Sequence, residues 1–148
     1  MSIVVMRKIA FDAAHRLLGH EGKCKNLHGH RYVADLHARA DALDSVGRVV
    51  DFSVLKARVG GWVDEVWDHT AIFHHDDPMA LQVMQTPNLK PVFLASFNPT
   101  AENLANFLLR DVCPAQLQGT GATVFKVVLH ETPNCSATVH LEDDDGHR

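Results

Sequence analysis

The chain is poor in cysteine. Cys24, Cys113 and Cys135 are odd in number and widely spaced, with no Cys-x-x-Cys. That excludes a disulfide framework and a closed four-thiolate metal knot, and it suits reduced thiols in a cytoplasmic setting. No run approaches the ~20 apolar residues that a membrane helix requires, so no membrane partner is expected. Basic charge is not in excess: 14 Lys and Arg stand against 18 Asp and Glu, for a net charge of −4. That balance gives no footing for a nucleic-acid partner. Met1 to Lys8 lacks the layout of a secretory signal. There is no repeat and no Gly/Pro/Ser-rich linker. The 148 residues, 46% of them hydrophobic, suit one domain spanning 1–148 that can bury its own core.

What the chain has in surplus is histidine, 11 in all. His28-Gly29-His30 lies just after Gly22-Lys23-Cys24-Lys25-Asn26-Leu27, and His15 ends Phe11-Asp12-Ala13-Ala14. Side chains two apart on a strand point the same way. Residues 28–41 read as a strand in which Tyr32, Ala34, Leu36 and Ala38 share phase with both histidines. In the first strand, residues 3–14, Ile3, Val5, Ile9, Phe11 and Ala13 share phase with His15. Two such strands side by side bring three imidazoles to one inward pocket. Three His ligands with a fourth position open is the pattern of a catalytic zinc site. The bland alternative is a chance His-x-His in a histidine-rich chain; the third histidine in phase weighs against it. His20, His74, His75, His140 and His147 show no such pattern.

Other groups carry chemistry. Lys23 and Lys25 put two ammonium charges beside Cys24, a setting that favours a reactive thiol. Cys113 and Cys135 lack such neighbours and read as packing residues. Asp68 adjoins His69, and a carboxylate that orients an imidazole beside a thiol makes a proton relay. Neighbours on regular structure do not face each other, so that pair needs an irregular turn. Glu131 shares phase with Phe125, Val127 and Leu129, which aims a carboxylate at apolar surroundings and calls for a partner. Either it reaches water at the strand end, or it receives two N–H donors such as the amino-pyrimidine edge of a pterin or guanine ring.

The remaining pattern predicts the architecture. Asp51 or Ser53 caps a helix over about 54–67 with Phe52, Leu55, Val59, Val63 and Val66 as its stripe. Gly60-Gly61 interrupts it for no evident reason. Residues 73–78 read as loop, 79–85 as a short helix and Val92-Phe93-Leu94 as a short extended piece. Thr100 caps a second long helix, with Glu102 in its first turn and Pro114 ending it. Residues 122–131 and a stretch marked by Ala137, Val139 and Leu141 are strands three and four, and the acidic tail from Glu142 to Asp145 reads as frayed. The order β-β-α-α-β-β predicts an α+β fold, a four-stranded antiparallel sheet with two helices on one face.

Taken together, Phe11-Asp12-Ala13-Ala14-His15, Cys24-Lys25-Asn26-Leu27-His28-Gly29-His30, Val50-Asp51-Phe52, Asp68-His69, Pro99-Thr100-Ala101-Glu102-Asn103 and Glu131-Thr132-Pro133 resemble the 6-pyruvoyltetrahydropterin synthase family. The likeness covers nearly the whole chain. Three residues between the cysteine and His28 look like its 6-carboxytetrahydropterin synthase branch, of the queuosine pathway. The resemblance implies a tunnelling (T-fold) architecture and a homo-oligomer, commonly a hexamer, with sites between subunits. It implies Zn2+ on His15, His28 and His30, catalysis by Cys24 with Asp68 and His69, and pterin binding by Glu131 with Thr100 and Glu102. It implies a lyase that takes 7,8-dihydroneopterin triphosphate to 6-carboxy-5,6,7,8-tetrahydropterin, acetaldehyde and triphosphate. The alternatives are 6-pyruvoyltetrahydropterin synthase, or a non-enzymatic zinc-dependent pterin-binding protein. Two departures stand out. Residues 74–98 are longer than compact bacterial members need, and Phe73-His74-His75 replaces an Asn-rich continuation after Asp-His.

Overall fold

The computed structural model describes residues 2–142. The acidic tail beyond Glu142, with His147, lies outside the described residues. Strand β1 is Val5–His15 and β2 is His28–Ala40; they pair antiparallel, with Phe11 opposite Tyr32, Ala13 opposite His30 and His15 opposite His28. Ile9, Phe11, Ala13 and His15 on β1, and Tyr32, Ala34, Leu36 and Ala38 on β2, are buried, as the period-2 pattern requires.

Helix α1 runs over 52–66: Phe52–Leu55, a π segment Lys56–Gly60, and Gly61–Val66. Asp51 is its N-cap and accepts from the Ser53 amide at 2.8 Å. Leu55, Val59, Val63 and Trp67 form its buried side, whereas Phe52 is half exposed. Strand β3 is Thr70–His74, helix α2 is Pro78–Met84 and strand β4 is Phe93–Ala95. Helix α3 runs over 101–116, capped by Thr100, with a π segment at Leu108–Val112. Strands β5, Ala122–Thr132, and β6, Cys135–His140, form the closing hairpin. Apolar residues of α1 and α3 join those of β1, β2 and β5 in one core cluster. No helix among the described residues is long and apolar enough to cross a membrane.

The sheet departs from the four-stranded antiparallel expectation. It has six strands in the order β4-β3-β1-β2-β5-β6, and it is mixed, because β3 runs parallel to both β1 and β4. Phe73 and His74, expected in a loop, belong to strand β3, and no strand pattern shows over Thr70–His74 because Ile72 and Phe73 are adjacent and both buried. A short parallel strand covered on both faces shows no alternation to read.

Two further expectations fail locally. Pro114 does not end α3, which continues to Gln116. The preceding π turn, in which the Cys113 amide reaches the Leu108 carbonyl, loosens the backbone where the proline ring needs room. Phe125 does not share the core phase. The β2–β5 register slips between His37 and Ala38, so Val124 and Val127 are buried. Phe125 turns out beneath the Arg39 guanidinium, 4.7 Å from its ring centre.

The Gly60-Gly61 pair gains a partial reason. A Cβ on Gly60 would lie 3.1 Å from Ile9 Cδ1, so α1 approaches β1 closely there, while one on Gly61 would meet nothing within 4 Å. Gly61→Ala should therefore stabilise the protein by about 0.4–1 kcal/mol in urea unfolding at fixed protein concentration. Gly60→Ala should gain less or lose stability, because Ile9 must give way.

Candidate active site

The β1–β2 register builds a cluster of three imidazoles at the end of the sheet. His15 and His28 are directly opposite, and His30 follows one same-face step along β2. Their ring centres lie 4.6, 5.2 and 4.9 Å apart, and one donor nitrogen from each falls within 4.8 Å of the others. His15 is buried, while His28 and His30 are partly open. Gly29 lets the strands close up between them, because a Cβ there would stand 3.1 Å from the Ala13 carbonyl.

Each ring is set by its other nitrogen. His15 Nδ1 donates to the Pro99 carbonyl at 2.7 Å, and His28 Nδ1 to the Asn26 carbonyl at 2.7 Å. Both Nε2 lone pairs are therefore free, and they face each other at 3.2 Å. His30 Nε2 is buried with no hydrogen-bond partner among the described residues. Lone pairs so arranged repel unless a cation lies among them. Tetrahedral zinc at about 2.0–2.1 Å from each nitrogen would set the nitrogens roughly 3.3–3.4 Å apart, so the donor set fits such an ion. Burial lowers the proton affinity of His15, against a raising contribution from the Pro99 carbonyl, and burial lowers that of His30 as well. Neutral imidazole is the ligating form.

Residues around the cluster were not singled out by sequence. The Tyr32 hydroxyl lies 3.2 Å from His15 Nδ1. Its ionisation is pushed far up, first by burial and then by the negative charges of Glu131 and of Cys24 as thiolate. Pro99 acts through its backbone carbonyl, which no side-chain pattern reveals. Asp12 holds Asp68 and His69 in place. Its amide donates to Asp68 Oδ1 at 2.8 Å, and its carbonyl accepts from the His69 amide at 2.6 Å.

Cys24 sits half-buried on a 3-10 turn, Lys23–Lys25, outside the three-histidine donor set. Glu131 comes to 3.7 Å from His30 Nε2, at a register slip between β5 and β6. It lines a cleft of about 200 Å³ together with Thr100, Glu102, Cys135 and Ser136. The amide of Asn103 donates to Thr100 Oγ1 at 3.1 Å, completing the helix cap.

Asp68 and His69 do face each other, with Asp68 Oδ2 2.6 Å from His69 Nδ1. The irregular turn is explicit: His69 has φ +57°. That left-handed conformation is strained for a non-glycine residue. The pair stands on the sheet face opposite the imidazole cluster. Asp12, whose carboxylate joins Asp68 and His69 in one donor group, pairs with Arg31 at 2.9 Å on that outer face. There His69 borders a concavity of about 500 Å³ whose lining also includes His30, Arg31, Lys90, Leu89 and Val92. Strand alternation thus puts Asp12, Asp68 and His69 on one face of the sheet and the three imidazoles on the other. A further donor group, His74, His75 and Asp76, is bonded within itself: the Asp76 amide donates to His74 Nδ1 and His75 Nδ1 meets the Asp76 carboxylate.

A family profile described as 6-pyruvoyl tetrahydropterin synthase matches residues 4–142. A 6-carboxy-5,6,7,8-tetrahydropterin synthase of Rickettsia felis is 40% identical over 133 residues, covering 90% of this chain and 96% of that one. A protein of the same name from Haemophilus influenzae is 36% identical over 110 residues, covering 70% and 77%. Among solved structures, an uncharacterized protein from Wolinella succinogenes superimposes with a TM-score of 0.82 at 24% identity, covering 96% of this chain and 99% of that one. A 6-pyruvoyl tetrahydropterin synthase from Caenorhabditis elegans does so with a TM-score of 0.68 at 24% identity, covering 96% and 97%. The last two show a shared fold.

The site predicts its own metal and pH behaviour. His28→Ala should cut bound divalent metal sharply, as read by elemental analysis, and full retention would refute the ligand set. Burial puts His15 and His30 below the ordinary imidazole value of 6.5, so the unfolded chain binds protons that the folded chain refuses. The stability they contribute is present above 6.5 and drains away as pH falls below it. The urea midpoint of metal-free protein should therefore drop on acidification through that window.

Proposed function

We propose, from the premise that this chain belongs to the 6-pyruvoyl tetrahydropterin synthase family, that it is a 6-carboxytetrahydropterin synthase. In this reading it is a zinc-dependent lyase that converts 7,8-dihydroneopterin triphosphate to 6-carboxy-5,6,7,8-tetrahydropterin, acetaldehyde and triphosphate, serving queuosine biosynthesis. The observation that carries it is the cluster of three imidazoles, in which the His15 and His28 Nε2 atoms face each other and the His30 Nε2 is buried without a partner, in a chain up to 41% identical to relatives bearing that name. Residues 1–148 act as one domain, and the three free cysteines suit a cytoplasmic location.

His15, His28 and His30 would hold the zinc, which would supply Lewis acidity toward oxygens of the substrate side chain. Glu131 receives the amino-pyrimidine edge of the pterin in the cleft it shares with Thr100 and Glu102. Cys24 carries one proton-transfer role and His69 the other. The 2.6 Å contact with Asp68 keeps the proton on His69 Nδ1, leaving Nε2 to accept. Because the pair and the imidazoles occupy opposite faces of the sheet, the pair serves the zinc site of a second copy. That requires a homo-oligomer, and the resemblance implies a hexamer.

Incubating the zinc-loaded protein with 7,8-dihydroneopterin triphosphate should release triphosphate and acetaldehyde, with 6-carboxytetrahydropterin identified by mass. Accumulation of 6-pyruvoyltetrahydropterin without acetaldehyde would select the pyruvoyl synthase instead. Cys24→Ala should abolish turnover while metal content stays full; turnover at the parent rate would mean the thiol has no part in the reaction. Glu131→Gln should weaken pterin binding by roughly tenfold or more, the scale of losing a charge-assisted hydrogen bond, with little change in unfolding midpoint.

A further inference from the structure

The loop 16–27 that carries Cys24 is held from outside by the segment between β3 and α3. Asp77 is the one carboxylate-bearing residue in the buried set among the described residues, with its side chain fully covered. A buried carboxylate is costly unless it is paired. Asp77 Oδ2 accepts from Arg16 Nε at 2.5 Å, and its other oxygen accepts from the Met79 amide as the cap of α2. Capping does not explain the burial: Asp51 caps α1 with its side chain 44% exposed. Arg16 follows the ligand His15 directly. Its guanidinium also donates to the Lys25 carbonyl at 3.2 Å, one residue past Cys24.

A second tie lies at the other end of the segment. The Asn98 side chain makes a two-way amide pair with Leu18: its Oδ1 accepts from the Leu18 amide and its Nδ2 donates to the Leu18 carbonyl, both at 2.8 Å. Leu17 then donates its amide to the Cys24 carbonyl at 2.8 Å. Asn98 is in turn held by the Asn103 side chain, which donates to its carbonyl at 3.0 Å, next to the Pro99 carbonyl that sets His15. Charge and amide ties thus grip the loop on either side of its thiol.

We infer that Asp77, Arg16 and Asn98 are positioning residues for Cys24, and that the long stretch after β3 serves to fix the thiol against the imidazole cluster. This rests on the catalytic role given to Cys24 above. An untethered 12-residue loop between two strands samples many conformations, and small displacements of a reacting group cost rate rather than binding. The test uses the full-length zinc-loaded protein with Asp77→Asn, which keeps a capping side chain but removes the charge, and with Arg16→Lys and Asn98→Ala.

Peptide-resolved hydrogen exchange over residues 17–26 should quicken by roughly tenfold or more in Asp77→Asn, the scale of losing a hydrogen bond to a charged group. Exchange in the middle of β2 should hold, metal content should stay full, and kcat should fall with KM nearly unchanged. Unaltered exchange across the loop in both Asp77→Asn and Asn98→Ala would overturn the inference. So would a loosened loop with parental kcat, provided Cys24→Ala is inactive. If Cys24→Ala itself turns over normally, the failure belongs to the role of the thiol. A variant that unfolds shows itself by lost metal and global exchange, and Arg16→Lys or Asn98→Ala then decides.

Discussion

The site depends on the pairing register between β1 and β2. His15 faces His28 across the ladder, and His30 lies on the same face two residues on. A slip of one residue would carry His28 and His30 to the outer face together with Tyr32, Ala34 and Leu36. The same burial that holds these aliphatic and aromatic side chains inward therefore places the imidazoles. Phe11 stacked on Tyr32, with ring centres 5.1 Å apart, is one of the contacts that such a slip would destroy. Metal-ligating geometry and core packing are set by a single choice of register.

The sheet then divides the chemistry between its faces. Imidazoles, Tyr32 and Glu131 belong to the side that faces the helices. Asp12, Arg31, Asp68 and His69 belong to the other. The outer face is strongly polar: Lys8 bridges to Asp35 at 2.7 Å and His130 meets the same carboxylate at 3.1 Å. Each face of the sheet thus carries its own donor group, and that division is what the proposed homo-oligomer rests on.

The connections matter as much as the strands. The Asn98-Pro99-Thr100 run fixes the His15 tautomer, holds Leu18 and caps α3 within three residues. The stretch before it, with no role evident from sequence, supplies α2, β4 and the buried Asp77. Lys90, from the same stretch, donates to the carbonyls of Asp64 and Asp68 where α1 ends, bracing the turn that bears His69.

Much of this was legible in the order of residues, because it depends on periodicity and local chemistry. The phases of β1 and β2, the caps at Asp51 and Thr100, the His15–His28–His30 set and the need for an irregular turn at His69 all come from rules that act over a few residues. What required the folded chain acts over distance. Strand β3 is hidden because parallel pairing and burial on both faces erase alternation. Phe125 and Glu131 sit at register slips that depend on partner strands, and Pro114 is tolerated because a π turn precedes it. The separation of His69 from the imidazoles, and the ties from Asp77 and Asn98 to the Cys24 loop, join residues more than 50 positions apart. No local pattern can encode such contacts, since they exist only once the core has brought the segments together.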